Sequence, residues 1–264
     1  MAHPGTSQPL AKSQGLRLGL RPATLRLLET MIHCLHGSAG CHTNWDLFEK
    51  SLGEEINSID LWSLFESDKQ VTLREAGRLV AKQATDGDLL MGYSMGGRIA
   101  LHSLLFSPEK WRGAIIIAAN PGIADGHKER KARDEEWAQL AETNWEAFLK
   151  HWNEQPLLTS PHGVSMTFQN PSSEKSAKVA RSFRDWSLGR QFDLRPDLPK
   201  ITCPVLWLTG TKDEKFSAIA KDSVSRIPGG RMISVPNASH RLPWQQPDSF
   251  ARIVKDFVEL SSPF

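Results

Sequence analysis

The chain of 264 residues contains few cysteines and a single tyrosine, Tyr93, beside nine tryptophans and eleven phenylalanines. Its three cysteines, Cys34, Cys41 and Cys203, form no Cys-x-x-Cys pair and no His/Cys cluster. Because a disulfide framework needs paired cysteines and a structural zinc site needs clustered ligands, the sequence argues against both. Unpaired thiols are typical of a reducing compartment, so we expect a cytoplasmic protein.

Excess charge and long apolar runs are also missing. Lys and Arg number 32 against 30 Asp and Glu, which leaves a net charge of only +2. No apolar run approaches the 18 or so residues that a membrane-spanning helix needs. We therefore expect neither nucleic acid nor a membrane as a partner. The oligomeric state cannot be read from the sequence.

The first 28 residues contain no Asp or Glu but carry Lys12, Arg17, Arg21 and Arg26. Such a basic, acid-poor composition resembles an organelle transit peptide, although no clear amphipathic helix accompanies it. We interpret residues 1–28 as a flexible basic N-terminus, and a targeting role stays open.

Short β-rich runs alternate with helix-length segments along most of the chain. The runs lack polar alternation, which is typical of strands buried on both faces of a parallel sheet. Strands are predicted at 31–35, 56–61, 89–91, 114–118, 205–209 and 232–235, and helices at 72–84, 95–107, 217–226 and 247–260. This order predicts an α/β fold with a mostly parallel central sheet and helices on both faces.

The stretch 123–194 interrupts this alternation because it contains no convincing strand. Amphipathic helices are predicted within it at 128–150 and 174–186. We interpret the stretch as a helical lid inserted into a core formed by 29–122 and 195–264. The alternative is a helical packing layer with no role in binding.

The pentapeptide Gly92-Tyr93-Ser94-Met95-Gly96 matches the G-x-S-x-G pattern of a nucleophile elbow. It follows a predicted strand and precedes a predicted helix, which is the context that such a turn requires. The glycines on either side relieve steric crowding, so Ser94 is predicted to stand exposed as the nucleophile. The backbone N–H of Met95 then points to where an oxyanion would form.

A serine of this kind needs an imidazole base, and the base needs an acid to hold its tautomer. Asp213 follows the predicted strand 205–209, and His240 follows the strand 232–235. The order Ser94, Asp213, His240 is the one that this topology predicts. Glu214 is the alternative acid.

The loop after the first strand, Leu35-His36-Gly37-Ser38, is expected to supply the second oxyanion donor. We assign that role to the backbone N–H of Ser38. We interpret His36 as a residue that stabilises the loop rather than as a catalytic base.

The triad resembles that of the α/β-hydrolase fold family, and further motifs narrow the resemblance. They are the elbow followed by Gly97-Arg98, then Asn120-Pro121-Gly122, Glu129-Arg130-x-x-Arg133, Trp137, Trp152-x-x-Gln155-Pro156 and Asp213-x-Lys215-Phe216. In this order they resemble the 2-succinyl-6-hydroxy-2,4-cyclohexadiene-1-carboxylate synthases of menaquinone biosynthesis. The resemblance extends over residues 31–260.

The resemblance implies a lyase without metal or cofactor. His240 and Asp213 would activate Ser94 to remove a proton α to a carbonyl, after which pyruvate is eliminated. It also implies that Arg133, Trp152 and Tyr93 border a pocket for a small polycarboxylate. Arg98 fits that substrate independently, because it lies one helical turn beyond Ser94 and arginine suits bidentate carboxylate binding.

Some positions depart from the family pattern. Ser38 replaces a bulky apolar residue, the segment Asp60–Ser63 is shortened, and a lid arginine expected within 157–170 is absent. Arg181 or Arg184 is predicted to substitute for that arginine. Two other functions stay open: a serine hydrolase acting on an anionic substrate, and a catalytically silent hydrolase-fold binding protein.

Overall fold

A computed structural model describes Met1 and residues 31–67, 69–159 and 171–261. It contains one sheet of six parallel strands in the order β2-β1-β3-β4-β5-β6. The strands are β1 (Met31–Leu35), β2 (Glu55–Ile59), β3 (Asp88–Tyr93), β4 (Trp111–Ile117), β5 (Val205–Gly210) and β6 (Gly230–Val235). Each predicted strand is confirmed. Beyond Met1, the segment interpreted as a flexible N-terminus lies outside the described residues.

Eight α-helices accompany these strands within the described part of the chain. They are α1 (Leu73–Ala81), α2 (Met95–Phe106), α3 (His127–Thr143), α4 (Trp145–Asn153), α5 (Ser173–Asp185), α6 (Glu214–Val224), α7 (Leu242–Gln245) and α8 (Pro247–Leu260). The helix predicted over 128–150 is two helices. Asn144 leaves the helical conformation with φ −151°, and its side chain accepts from the N–H of Ala147 to start α4.

The sheet separates two apolar layers. On one face, α1 and α2 contribute Ala76, Val80 and Leu101 to the larger cluster. On the other face, Phe250 and Val254 of α8 pack in the second cluster. Because both faces are covered, the central strands are almost fully buried. Their continuous apolar sequences follow from that burial.

The carboxyl ends of all six parallel strands meet at one edge of the sheet. Strand order changes direction between β1 and β3, and ligands of open α/β sheets bind beside such a switch point. Helices α3, α4 and α5 lie between β4 and β5 in the chain, and the described residues of 123–194 include no strand. None of the described helices is both long and apolar enough to cross a membrane.

Candidate active site

Ser94 lies in a sharp turn between β3 and α2, with φ 51° and ψ −108°. A side chain at Gly92 would place its Cβ 2.6 Å from the carbonyl oxygen of Gly96. A Cβ at Gly96 would collide with the carbonyl oxygen of Leu35 at the end of β1. Both glycines are therefore required, and the atoms that exclude larger residues belong to the backbone of α2 and β1.

Ser94, His240 and Asp213 form a hydrogen-bonded chain. His240 Nε2 lies 3.0 Å from Ser94 Oγ, and its Nδ1 lies 2.9 Å from Asp213 Oδ2. The other oxygen of Asp213 accepts from the N–H of Phe216, which fixes the carboxylate at the start of α6. With Nδ1–H donating to the acid, Nε2 is free to accept the serine proton. Glu214, the alternative acid, is exposed at the first position of α6.

The two assigned oxyanion donors belong to residues that line one cavity, Ser38 and Met95. Met95 is the first residue of α2, so its N–H has no acceptor within the helix and points outward at the helix N-terminus. The loop that carries Ser38 is held by His36, whose Nδ1 donates to the carbonyl of Gly37 at 2.9 Å. His36 Nε2 accepts from the N–H of Leu61 at 3.1 Å. His36 thus stabilises the loop.

The shortened segment Asp60–Ser63 also supports this loop. Residues Leu61–Leu64 form a 3-10 turn, and the indole N–H of Trp62 donates to the carbonyl of Gly40 at 2.8 Å. Trp62 is almost completely buried and packs beside His36 with ring centroids 4.9 Å apart. The sequence did not identify this tryptophan as part of the site.

A cavity of about 380 Å³ lies in front of Ser94. It is bounded by the elbow and by residues of α3 and α4, which together with α5 are the inserted helices between β4 and β5. Among the described residues, four cations line the cavity: Arg98, Arg130, Arg133 and Lys215. Asp134 is the one carboxylate that the described part of the lining contains, and it already accepts from Arg130 at 2.8 Å and from the hydroxyl of Ser187 at 2.7 Å. The cavity is therefore positive although the chain as a whole is almost neutral.

Arg98 is a buried cation in this lining, with 8% of its surface exposed. Its Nε donates to Gln191 Oε1 and its Nη2 to the carbonyl of Trp186, both at 2.7 Å. Burial lowers the pKa of the guanidinium to about 9, and the nearby Arg130 acts in the same direction. Arg98 still carries its charge at neutral pH, as a carboxylate-binding role requires.

Two of the inserted helices bring two further predicted residues to the cavity. Arg133 lies on an exposed part of α3, and Trp152 lies on α4. The ring of Trp152 packs edge-on against Trp137 at 5.2 Å and against Phe183 at 5.2 Å. Trp152 therefore forms a wall of the cavity and is at the same time part of the packing among the inserted helices.

A model of the alpha/beta hydrolase family matches residues 34–253. The chain belongs to the α/β-hydrolase family. It is 28% identical to a putative 2-succinyl-6-hydroxy-2,4-cyclohexadiene-1-carboxylate synthase of Bacillus subtilis (strain 168), over 93% of this chain and 96% of the relative. It is 33% identical to the synthase of that name from Serratia proteamaculans (strain 568), over 64% of this chain and 67% of the relative.

Solved structures of other α/β hydrolases share the fold. MenH from S. aureus superposes with a TM-score of 0.79 at 24% identity, covering 88% of this chain and 94% of that one. A thermophilic esterase from Thermogutta terrifontis gives 0.69 at 20% identity, covering 89% and 91%. These comparisons confirm the predicted fold and the resemblance to the synthases.

Tyr93 does not line the cavity of this hydrolase fold. Its ring packs against Gly37, His240 and Trp244, on the side of the second apolar cluster. Burial raises the pKa of its hydroxyl, which is hydrogen-bonded to Arg241. This position was predictable from the alternation of side chains along β3. Leu89, Met91 and Tyr93 share one face of that strand, and this face packs in the second apolar cluster. Tyr93 therefore packs beside His240 and does not border the cavity.

Neither predicted substitute for the missing lid arginine reaches the cavity. Arg181 pairs with Asp185 of its own helix at 3.1 Å and donates to the carbonyls of Ser67 and Lys69. Arg184 is held between Glu135 at 3.0 Å and Glu142 at 2.5 Å. Glu135 and Glu142 are two turns apart on α3, so they present one acidic face to α5 and bind Arg184 there. That prediction is wrong, because these arginines join the inserted helices to their neighbours.

Arg130 and Lys215 also line the cavity, although the sequence motifs that contain them did not lead to their assignment to the site. Arg130 lies one turn before Asp134 on α3, and Lys215 lies two residues after Asp213. Their positions in the motifs Glu129-Arg130-x-x-Arg133 and Asp213-x-Lys215-Phe216 were the available signal. No group of three or more His, Cys, Asp or Glu side chains is arranged to hold a metal ion in the described part of the chain.

Proposed function

We propose that this chain is a lyase that eliminates pyruvate to form 2-succinyl-6-hydroxy-2,4-cyclohexadiene-1-carboxylate in menaquinone biosynthesis. The observation that carries the proposal is the group of four cations lining the cavity in front of Ser94. A site for neutral esters has no use for a buried guanidinium such as Arg98, which is hydrogen-bonded to no carboxylate of the described residues, because burying an unpaired charge costs desolvation energy. Charge-assisted hydrogen bonds to a polycarboxylate substrate offset that desolvation energy.

The chemistry follows from the direction of the hydrogen bonds. His240 Nε2 takes the proton of Ser94 Oγ, and Asp213 stabilises the imidazolium that forms. The serine oxygen then removes the proton α to the substrate carbonyl, and the N–H groups of Ser38 and Met95 stabilise the negative charge on that carbonyl oxygen. The electron pair forms the new double bond as the C–O bond to the pyruvyl group breaks. The imidazolium of His240 gives its proton to the departing enolpyruvate, which yields pyruvate, while Ser94 keeps the proton removed from the substrate.

Pyruvate release tests this proposal. The purified chain is incubated with the pyruvylated precursor, and pyruvate is measured through NADH oxidation by lactate dehydrogenase. We expect stoichiometric pyruvate and ring product, and we expect both to disappear in Ser94→Ala. Brisk cleavage of a neutral nitrophenyl ester without any pyruvate from the precursor would overturn the lyase proposal.

A serine hydrolase acting on an anionic substrate is the second candidate. The same triad and oxyanion donors serve acyl transfer, and the structural neighbours include esterases. A hydrolase passes through an acyl-Ser94 intermediate, whereas proton abstraction leaves Ser94 unmodified. Mass spectrometry of the quenched chain during turnover distinguishes the two, because only acylation adds mass to the peptide containing Ser94.

We further propose a cytoplasmic location. The three cysteines are all free thiols in the structure. Cys34 is fully buried, and burial raises the pKa of its thiol, so it behaves as an apolar core residue. Targeting of a fluorescent fusion of the full chain tests this proposal, and accumulation outside the cytoplasm would contradict it.

A further inference from the structure

Arg98 is held along one edge of its guanidinium group. Of its five N–H groups, Nε–H donates to Gln191 and one Nη2–H donates to the carbonyl of Trp186. These two lie side by side on the same edge of the planar group. The opposite edge, formed by Nη1 and the remaining Nη2–H, has no acceptor among the described residues. That edge has the geometry for a bidentate carboxylate.

Gln191 is itself fixed in orientation. It is 3% exposed and follows the short helix Leu188–Arg190, where the chain returns from the inserted helices to the core. Its Nε2 donates to the carbonyl of Asn120 at 3.4 Å, so its oxygen is the atom turned to Arg98. Asn120 follows β4 and lines the cavity. One side-chain amide thus joins the cavity wall to the cation that faces it.

The neutrality of both acceptors matters for the charge of the site. A carboxylate at position 191 would pair with Arg98 and cancel its charge inside a buried site. An amide and a backbone carbonyl satisfy the same N–H groups without adding a negative charge. The cation is therefore aimed and hydrogen-bonded, yet its charge remains available to a ligand.

We propose that Gln191 is a positioning residue that turns the free edge of Arg98 into the cavity and keeps its charge uncompensated. It acts through Arg98 and makes the site select anionic ligands over neutral ones. The proposal depends on the proposed function only for the identity of the natural substrate. Ligand charge selection is measurable without turnover of that substrate.

The experiment compares two measurements on the full chain. Ser94 is labelled with a neutral fluorophosphonate, and phthalate, an aromatic dicarboxylate, is added to protect it. In Gln191→Glu, which keeps the shape but adds a carboxylate, we expect the phthalate concentration for half-protection to rise at least tenfold. The labelling rate without phthalate is expected to change much less. Gln191→Met, which removes the acceptor but adds no charge, is expected to fall between wild type and Q191E.

Gln83→Glu is the matched control, because it makes the same change of charge at an exposed position after α1. Its half-protection concentration is expected to equal that of wild type. In an Arg98→Met background, Gln191→Met is expected to weaken protection no further, since Gln191 acts through Arg98. Equal protection of wild type and Q191E, absence of phthalate protection in wild type, or an additional loss in the Arg98→Met background would overturn the proposal. Failure of the pyruvate assay with these effects intact would overturn the proposed reaction alone.

Discussion

The molecule contains two buried His–Asp pairs towards opposite ends of one sheet. His240 and Asp213 lie at the carboxyl edge, and His33 and Asp88 lie towards the amino ends of β1 and β3. The separation is 2.9 Å in both pairs, and no side chain among the four is more than 6% exposed. A buried His–Asp pair is therefore not in itself a catalytic feature, so the third partner decides its role.

The partners of the two histidines differ. His240 Nε2 faces the hydroxyl of Ser94 in a cavity. His33 instead accepts from the amide of Asn57 at 3.1 Å and packs edge-on against Trp111. Its hydrogen bonds connect β1, β2 and β3 and leave no site for a ligand. In the proposed mechanism the first pair moves a proton, whereas the second pair joins three strands.

The largest expected effect tests this division of roles. His240→Ala removes the base, so kcat for pyruvate release should fall by about 10³-fold or more. His33→Gln should leave kcat per folded molecule within about twofold of wild type, because that histidine is remote from the cavity. Stopped-time pyruvate assays, corrected by circular dichroism for folded protein, check both variants. Comparable kcat losses in the two variants would abolish the distinction.

The two ends of the sheet also differ in uncompensated charge, since Arg98 at the carboxyl edge is hydrogen-bonded to neutral acceptors. Arg98→Ala should lower kcat/KM for the anionic substrate by about 2–4 kcal/mol of transition-state stabilisation. Arg252→Ala, at an exposed position on α8, is the control and should have no effect. Steady-state kinetics check both. An unchanged kcat/KM in Arg98→Ala would remove Arg98 from the substrate site.

The strands, the elbow and the acid and base were predictable because local sequence determines them. Gly92 and Gly96 are required by backbone contacts within a few residues of Ser94 or with the neighbouring strand. Asp213 and His240 each follow a buried strand, and parallel strands bring their carboxyl ends to one edge. In these cases the position of a residue relative to a strand is sufficient to predict where its side chain lies in the fold.

The partners of the long cations were not predictable in the same way. Arg98 meets Gln191 and Trp186 across 93 and 88 residues of sequence, through the path of the chain after α5. Arg184 has an equally long side chain, and the acidic face of α3 binds it away from the cavity. Whether such an arginine reaches the cavity or pairs elsewhere depends on how the inserted helices pack. That packing cannot be predicted from a short sequence motif.

The next largest expected effect is on the unfolding free energy, to which the buried His33–Asp88 pair contributes. Asp88 accepts from His33, from the N–H of Met31, and from the N–H and hydroxyl of Thr85. Asp88→Asn replaces an acceptor oxygen by a donor group and leaves buried donors unpaired, so the unfolding free energy should fall by about 1–3 kcal/mol. Urea denaturation measures it. Asp86→Asn, at an exposed side chain, is the matched control, and an equal loss there would contradict the role of the buried network.

The smallest effect is the pH dependence of that stability. Burial raises the pKa of Asp88, but hydrogen bonds from His33, Thr85 and Met31 outweigh it and hold the pKa below its ordinary value of 3.8. A carboxyl whose pKa is lower in the folded state stabilises the protein fully above the unfolded value, and this stabilisation is lost as pH falls through the folded value.

The difference in unfolding free energy between wild type and Asp88→Asn should therefore be constant at neutral pH. It should shrink below about pH 3.8, because a protonated Asp88 no longer carries the charge that the asparagine lacks. One pKa unit of lowering corresponds to about 1.4 kcal/mol. Urea titrations between neutral and strongly acidic pH follow the difference. A difference that stays constant or grows on acidification would mean that the Asp88 charge does not stabilise the fold, and the amino-end pair would then act through packing alone.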